Sequence, residues 1–260
     1  MSVRLLVLDL DGTLLNDHKE ISQRNTEVLL KAQNEKGLRI AIGSGREVPY
    51  AERIVSCLEL KAHGGFLIAN NGQQICDYQN EHLMTGPKIS REACSIAAGF
   101  ALDHAIECHG SLKGRQYMPA MTERRAEFTD EKGNATENLD KIVFFAAGNE
   151  EQTREELAEL RKHLGIMADC YLVAPHVIDV AAHGVNKAAG IIQVCKIMGI
   201  EHNEVLVIGD GENDLSSARC FPFAAMANAM DVIKDAADRI TLSNEEDGVA
   251  FEVERSILNV

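Results

Sequence analysis

Two aspartates stand two positions apart near the start of the chain, in the segment Asp9-Leu10-Asp11-Gly12-Thr13-Leu14. In an extended backbone, residues two apart point to the same side, so we expect the two carboxylates to lie close together. Like charges at that distance repel unless a cation lies between them, and the hard cation Mg²⁺ prefers oxygen ligands. One carboxylate can then attack phosphorus while the other serves as general acid and base.

A calcium-binding loop is the alternative interpretation of this segment. Asp9, Asp11 and Glu20 fit the first, third and twelfth positions of such a loop. The sixth position requires glycine and holds Leu14, and the apolar run before Asp9 predicts a strand instead of the helix that a calcium loop needs. We therefore favour phosphoryl transfer over calcium binding.

Two further segments carry groups that suit a phosphate. In Gly43-Ser44-Gly45-Arg46 a hydroxyl stands between two glycines, where it and the exposed backbone N–H groups can hold a phosphate oxygen. Lys187 begins a predicted helix, where the helix dipole disfavours a cation unless an anion offsets it. Taken alone, a Gly-Ser-Gly turn or a surface lysine is also common in proteins without a function of this kind.

A second acidic pair stands in Gly209-Asp210-Gly211-Glu212-Asn213-Asp214, after another predicted strand. Asp214 is placed to cap the helix that follows. Asp210 has the same place relative to its strand as Asp9 has to its own. If the two strands are parallel neighbours, both carboxylates reach one metal ion.

The segments around these motifs predict an α/β fold with a doubly wound, Rossmann-like parallel sheet. Fully apolar strands alternate with helices, which is typical of a parallel sheet covered on both faces. Ligands bind beyond the carboxyl ends of such strands, where the motifs lie. The predicted strands are 3–8, 38–42, 66–68, 205–208 and 223–225, and the predicted helices are 22–36, 48–58, 187–198 and 215–219.

The middle of the chain predicts a separate α+β domain inserted into this core. We expect the inserted domain at residues 80–183 and the core at residues 1–79 and 184–260, with hinges at Gly64-Gly65, Asn80 and His183-Gly184. The predicted elements of the insertion are helices 90–104 and 150–164 and strands 105–109, 141–147, 168–173 and 177–180.

The composition argues against several classes of partner. A net charge of −14 offers no basic surface to a phosphate backbone, so we expect no nucleic acid partner. No stretch approaches the roughly 20 apolar residues of a membrane span, and the N-terminus shows no signal peptide. The seven cysteines include no Cys-x-x-Cys pair and are typical of reduced thiols. We expect a cytoplasmic protein without a membrane partner; its oligomeric state is not indicated.

The ordered motifs resemble those of the haloacid dehalogenase superfamily. The match is carried by Asp9 to Leu14 and by Gly209 to Leu215, and its order is correct along the whole chain. The inserted domain is similar to a type C2 cap. The stretches Ile178–Val180, Gly184–Lys187 and Asn71-Gly72 resemble the Cof-type, sugar-phosphatase-like branch.

The resemblance implies a Mg²⁺-dependent phosphomonoester hydrolase acting on small phosphorylated metabolites such as sugar phosphates. It implies that Asp9 becomes an aspartyl-phosphate and that Asp11 protonates the leaving alcohol and then activates water. Ser44 and Lys187 would hold the phosphoryl oxygens. Family members often have threonine where this chain has Ser44, which keeps the hydroxyl.

The resemblance also implies a metal site and further substrate contacts. Mg²⁺ would be bound by the Asp9 carboxylate, the Asp11 backbone carbonyl and Asp210, with Asp214 in support. The candidate substrate contacts beside Ser44 and Lys187 are Gly45, Arg46, Asn71 and Asn213.

Three rival functions stay open at this point. A phosphomutase, like phosphomannomutase, would use the same nucleophile and return the phosphoryl group to the sugar. A receiver-type signalling domain would be a non-enzymatic phospho-acceptor, but such domains are about half this length and lack the inserted domain. An inactive binding protein would have no need of the complete set of motifs.

Overall fold

A computed structural model describes the chain apart from residues 1, 2, 114, 118, 121–124, 127 and 260, with only the backbone of the other residues in 114–127. The chain forms two compact units. The first consists of Met1–Thr85 together with Asn186–Val260, and the second of Gly86–Val185. The first unit therefore comes from both ends of the sequence, with the second inserted between them.

Strands and helices alternate in the first unit and recur in the second. The strands are β1 (Leu5–Leu8), β2 (Arg39–Gly43), β3 (Phe66–Ala69), β4 (Gln74–Asp77), β5 (His82–Thr85), β6 (Glu107–Leu112), β7 (Arg115–Tyr117), β8 (Pro119–Ala120), β9 (Arg125–Ala126), β10 (Lys141–Phe145), β11 (Ala168–Ala174), β12 (Val177–Ala182), β13 (Val205–Gly209), β14 (Phe223–Ala225) and β15 (Arg239–Ile240). The helices are α1 (Gln23–Lys36), α2 (Val48–Ile54), α3 (Arg91–Asp103), α4 (Glu150–Leu164), α5 (Lys187–Met198), α6 (Leu215–Ala218), α7 (Asp231–Ala236) and α8 (Gly248–Val253).

The sheet of the first unit has the strand order β15-β14-β13-β1-β2-β3-β4-β5. In this order, each pair of neighbouring strands between β15 and β3 is parallel, as predicted. The chain moves outward from β1 in both directions, so right-handed crossovers place its helices on opposite faces of the sheet. In agreement, α1 packs against α8 while α5 packs against α6. This is the doubly wound α/β fold.

The far edge of this sheet differs from the prediction. Strands β4 and β5 form an antiparallel hairpin beside β3, so the core sheet extends beyond residue 79. The reversal occurs at Asn70 and Asn71, which have φ of +49° and +53°. Asparagine tolerates this left-handed region better than most residues, so the chain can turn back directly after β3.

Helix boundaries follow the capping residues. Ser22 caps α1 by accepting a hydrogen bond from the backbone N–H of Asn25, and Gly37 ends the helix in the left-handed region. Asn186 caps α5 in the same way through the N–H of Ala189, and α5 ends at Gly199. The caps set where α5 begins, and its first residue is Lys187.

Strand register brings three loops to one edge of the sheet. Leu8 at the end of β1 pairs with Ile208 of β13 on one side and Ile42 of β2 on the other. The residues that follow these strands leave the sheet together at its carboxyl edge. Asp9, Ser44 and Asp210 therefore lie in neighbouring loops.

The second unit has an antiparallel sheet in the order β11-β12-β10-β6-β7. Helices α3 and α4 pack together, and alternate strand residues such as Ile142, Phe144 and Ile178 are buried in its own apolar core. The strand predicted at 105–109 begins only at Glu107, because Ala105 has a φ of +53° and belongs to a turn. Gly64-Gly65, predicted as a hinge, lies within the first unit.

Across the described part of the chain, each helix is too short or too polar to cross a lipid bilayer.

Candidate active site

A buried lysine joins two buried carboxylates at the carboxyl edge of the first unit's sheet. Nζ of Lys187 donates hydrogen bonds to Oδ1 of Asp9 and to Oδ1 of Asp214, each over 2.7 Å. The three residues are 2%, 7% and 1% exposed, respectively. A cation at this depth needs such partners, and here they offset the unfavourable dipole at the start of α5.

Burial and charge act in opposite directions on these groups. Burial raises the pKa of Asp9, and the nearby carboxylates of Asp214 and Asp210 raise it further, against the lowering effect of Lys187. Burial alone would lower the pKa of Lys187, but the two carboxylates outweigh it and raise that pKa. The lysine is therefore a permanent cation in a site with an excess of acidic groups.

The loop after β13 is held by hydrogen bonds from its backbone to Asp214. Its Oδ2 accepts hydrogen bonds from the backbone N–H groups of Asp210 and Gly211, each over 3.1 Å. A Cβ on Gly209 would lie 2.6 Å from Cγ of Asp214, so this position requires glycine. Both oxygens of Asp214 are thus engaged, one by the lysine and the other by its own loop.

Asp210 meets the loop that follows β1. The hydroxyl of Thr13 donates to Oδ1 of Asp210 over 2.6 Å. Gly12 has a φ of +78°, and a Cβ there would lie 2.3 Å from Oδ2 of Asp210. Burial and the charge of Asp214 raise the pKa of Asp210 to about 6. The segment from Asp9 to Thr13 therefore packs directly against the second acidic motif.

Asp11 points away from this group and into a pair of cations. Arg46 donates to both of its carboxylate oxygens over 2.7 Å, and Lys19 donates over 3.1 Å. Burial alone would raise the pKa of Asp11, but the hydrogen bonds from Arg46 and Lys19 outweigh it and lower the pKa. The same pairing raises the pKa of Arg46.

Ser44 and the two predicted asparagines lie in adjoining turns. Oγ of the buried Ser44 accepts from the backbone N–H of Arg46 over 3.1 Å. The N–H of Asn71 donates to the carbonyl of Ser44, and Oδ1 of Asn71 accepts from Nδ2 of Asn213 over 3.0 Å. Gly45 lies between Ser44 and Arg46 and is partly exposed. The turn at Asn71 thus links the Gly43–Arg46 segment to the last motif.

Close packing places α5 beside the turn at residues 70–72. A Cβ on Gly190 would lie 2.5 Å from Cγ2 of Ile68, and one on Gly72 would lie 2.3 Å from the carbonyl oxygen of Asn186. Glycine at these two positions lets the first turn of α5 approach the sheet. Lys187 reaches Asp9 because of that approach.

The donor set fits a hard divalent cation. Oxygen atoms of Asp9, Asp210 and Asp214 lie within 4.8 Å of one another. Three carboxylates with Lys187 as their one hydrogen-bonded cation among the described residues leave an excess of negative charge, which also raises the pKa of Asp9. The Asp11 carboxylate is not part of this cluster, but its backbone carbonyl accepts no hydrogen bond from the described residues. Carboxylate and carbonyl oxygens are the ligands that Mg²⁺ prefers.

Three residues of the site carried no prediction from the sequence. Thr13 belongs to the first motif, but its contact with Asp210 has no local signature. Lys19 lies on a polar loop with a φ of +63° and resembles an ordinary surface lysine. Asn228, whose Nδ2 donates to the carbonyl of Gly12 over 2.7 Å, is 216 positions away in the sequence.

The chain is similar to known proteins over nearly its whole length. A family model for haloacid dehalogenase-like hydrolases matches residues 6–253. A 5-amino-6-(5-phospho-D-ribitylamino)uracil phosphatase of Bacillus subtilis (strain 168) is 29% identical over 259 residues, covering 99% of this chain and 97% of that protein. One from Escherichia coli (strain K12) is 26% identical over 273 residues and covers 98% and 96%.

A solved structure extends the agreement to three dimensions. The crystal structure of a haloacid dehalogenase-like hydrolase from Bacteroides thetaiotaomicron has a TM-score of 0.79 and 29% sequence identity, and the match covers 98% of this chain and 99% of that one. The fold and the family predicted from the motifs are confirmed. The chain belongs to the haloacid dehalogenase-like hydrolase family, and, like the two phosphatases to which it is similar, it is a hydrolase of phosphoric monoesters.

Proposed function

We propose that this phosphatase is Mg²⁺-dependent, uses Asp9 as its nucleophile and acts on small phosphorylated metabolites of the sugar or polyol class. One observation carries the choice of nucleophile. Oδ1 of Asp9 is held by Lys187, whereas Oδ2 accepts no hydrogen bond from any residue that the structure describes. A carboxylate with one oxygen fixed and the other unoccupied is oriented for attack.

In the first half of the reaction, Oδ2 of Asp9 attacks phosphorus and the bond from phosphorus to the ester oxygen breaks. The leaving alkoxide takes a proton from Asp11, which must first release Arg46 and Lys19 so that its lowered pKa rises and it binds that proton. Lys187 and the hydroxyl of Ser44 donate hydrogen bonds to the phosphoryl oxygens, which keeps the group in line with Asp9. The product of this half is an aspartyl-phosphate and a free alcohol.

In the second half, water attacks the phosphorus of the aspartyl-phosphate. The ionised carboxylate of Asp11 accepts a proton from that water, and the bond from phosphorus to Asp9 breaks. Inorganic phosphate leaves, and both aspartates return to their starting states. Arg46, which is paired with Asp11 in this structure, can release Asp11 and contact the substrate instead. Gly45, Asn71 and Asn213 are the further proposed substrate contacts.

The carboxylates of Asp9 and Asp210 and the carbonyl of Asp11 would hold the Mg²⁺, which when bound neutralises phosphoryl charge. Asp214 supports this arrangement by holding Lys187 and the loop that carries Asp210. The charge of the site argues for it, because an anionic substrate would otherwise meet an excess of carboxylates.

The substrate class is proposed from the relatives. The two named above take a phosphate ester carried by a ribitylamino chain, which is a polyol. We propose that residues 80–183, close to the observed second unit, are the C2-type cap and select the leaving group. The overall charge of −14 argues against a nucleic acid substrate.

The test is phosphate release from a panel of phosphorylated sugars, sugar alcohols and nucleotides, with and without Mg²⁺. Asp9→Asn should remove activity and phosphoryl-enzyme formation, observed by intact-protein mass spectrometry after a rapid acid quench. Asp103→Asn, a matched change at an exposed position in α3, should behave as wild type. Full activity of Asp9→Asn would contradict a mechanism in which Asp9 is the nucleophile. Isomerisation of a hexose monophosphate without phosphate release would indicate a mutase instead.

A further inference from the structure

The loop that carries the nucleophile is fastened to the far end of the chain by two asparagines. Nδ2 of Asn228 donates to the carbonyl of Gly12 over 2.7 Å. Oδ1 of Asn228 accepts from the backbone N–H of Asn244 over 3.0 Å. The side chain of Asn244 donates in turn to the carbonyl of Leu15 over 3.1 Å.

The orientation of the Asn228 amide is determined by these neighbours. The oxygen must face the N–H of Asn244, since a nitrogen there would place two donors together. The NH₂ group is then directed at Gly12, where it meets a carbonyl. The two hydrogen bonds therefore support one another, and a single exposed side chain ties two backbone segments together.

Gly12 is the residue of this loop that most needs an external restraint. Its φ of +78° and the closeness of Asp210 exclude a Cβ, so no side chain of its own can limit its backbone. Rotation at Gly12 tilts the peptide groups on either side of it. One of these leads to Thr13, whose hydroxyl holds Asp210, and the other carries the carbonyl of Asp11.

The backbone carbonyl groups of this loop differ in whether they accept a hydrogen bond. The carbonyl of Asp9 accepts from the N–H of Leu14, and that of Leu10 accepts from the N–H of Leu15. The carbonyl of Gly12 is taken by Asn228. Within Asp9 to Gly12, the Asp11 carbonyl alone has no hydrogen-bond donor among the residues that the structure describes.

We propose that Asn228 is a positioning residue for the metal site. By holding the carbonyl of Gly12 it restrains this glycine, and so directs the carbonyl of Asp11 and the hydroxyl of Thr13 toward the acidic cluster. The inference rests on the proposed function, because it assumes that a divalent cation binds at Asp9 and Asp210.

The sharpest variant is Asn228→Asp. Aspartate has nearly the same shape and keeps the acceptor for the N–H of Asn244, but it replaces the donor to Gly12 by an acceptor. Binding of Mn²⁺ alone to the full-length protein, followed by electron paramagnetic resonance, gives a readout that does not depend on turnover. The dissociation constant should rise about tenfold, as is typical when a group supporting a metal ligand is lost. Charge alone predicts the opposite, since an added carboxylate attracts the cation.

Two controls separate positioning from a general loss of stability. Asn16→Ala removes an asparagine of the same loop whose Oδ1 accepts from the N–H of Glu20, on a contact that does not involve Gly12. It should leave Mn²⁺ binding unchanged. If Asn228 acts through the peptide group that leads to Thr13, Asn228→Ala and Thr13→Val should be non-additive in a double-mutant cycle.

Wild-type Mn²⁺ affinity in both Asn228→Asp and Asn228→Ala would overturn the inference, as would full additivity with Thr13→Val. Should Asn228→Asp fail to fold, Asn228→Ala and the cycle decide the question. If the wild-type protein bound no divalent cation, the metal requirement of the proposed function would fail, and this inference with it. Normal wild-type binding and Mg²⁺-dependent turnover with unaffected Asn228 variants would reject the positioning role alone.

Discussion

Nζ of Lys187 lies 2.7 Å from Oδ1 of Asp9, although 178 positions separate the two residues in the chain. The contact is buried and shared with Asp214, so the lysine pairs with one carboxylate of the loop after β1 and one of the last motif at once. We expect stability and the proposed catalysis to depend on the same ion pairs, and substitutions can separate the two effects.

Replacement of Lys187 by methionine should lower both activity and stability. It leaves Asp9 and Asp214 buried without their shared cation, and breaking a buried pair typically costs about 3 kcal/mol or more. We expect that loss in the free energy of unfolding at neutral pH, measured by urea denaturation in EDTA. The double variant Lys187→Met/Asp214→Asn should regain part of the stability but none of the phosphatase activity. Equal stability of the single and double variants would contradict the charge argument.

The metal-free protein should lose stability as the pH rises through the titration of Asp210. The pKa of this residue is raised from 3.8 to about 6, so its folded form holds a proton that the unfolded form releases earlier. Its contribution is fully present below about pH 4 and is lost as the pH passes 6, by up to about 3 kcal/mol. Unfolding from pH 4.5 to 8 in EDTA measures this effect.

The matched variant for this pH effect is Asp210→Asn. Above pH 6 without metal it should be more stable than wild type, and its stability should depend less on pH. Added Mg²⁺ should stabilise the wild-type protein near pH 7.5 and leave the variant unchanged. Parallel pH curves for the two proteins would show that Asp210 does not titrate in this range.

The pair between Arg46 and Asp11 should show the opposite dependence on pH. The pKa of Asp11 is lowered by its partners, so its contribution to stability is present above the usual aspartate pKa and is lost as the pH falls through the lowered value. The Asp11 side chain is 40% exposed, which reduces the effect of Arg46→Gln to about 1 kcal/mol at neutral pH.

The difference in the free energy of unfolding between wild type and Arg46→Gln should vanish toward pH 3. Arg46→Lys keeps the charge but cannot donate to both oxygens of Asp11 in the same way. Its stability should therefore lie between those of wild type and Arg46→Gln. The Asp11 carboxyl can be followed directly by carbon NMR, where its midpoint should move upward in Arg46→Gln. An unchanged midpoint would mean that Lys19 alone holds the pKa of Asp11 down.

Gly12→Ala and Gly37→Ala form a matched pair of substitutions at positive φ. A Cβ at Gly37 meets nothing within 4 Å, so that variant should lose about 1 kcal/mol of stability from backbone strain and keep full activity. A Cβ at Gly12 would lie 2.3 Å from Oδ2 of Asp210, so the loop must move. We expect Gly12→Ala to lose Mn²⁺ binding and at least about a hundredfold in phosphate release. Similar activity of the two variants would show that the loop tolerates this movement.

Much of the core could be predicted because its signals are local. The apolar runs of β1 and β13, the cap at Ser22 and the closing glycines Gly37 and Gly199 each lie within a few residues of what they determine. The general rule that ligands bind at the carboxyl edge of parallel strands then places Asp9, Ser44 and Asp210 together. The structure brings these loops to that edge.

The features that the sequence did not predict either had no decisive local signal or depended on contacts between distant residues. The β4–β5 hairpin follows from Asn70 and Asn71 adopting a left-handed backbone, which the sequence permits but does not require. Strand β5 is mostly exposed and has no apolar face from which it could be predicted. In the sequence Lys19 and Asn228 look like ordinary surface residues, and only the fold places them beside the loop that carries Asp11 and Gly12.

The sequence by itself determined the family, the α/β fold and the identity of the groups that gather at the sheet edge. These depend on residue type, spacing and order along the chain, which local physical rules can interpret. Only the tertiary structure decided how those groups are paired: Lys187 with Asp9 and Asp214, and Arg46 with Asp11. Such pairing depends on close approach between segments that are far apart in the chain, as at Gly12 and Gly190, where a Cβ would lie 2.3 Å and 2.5 Å from a neighbouring atom.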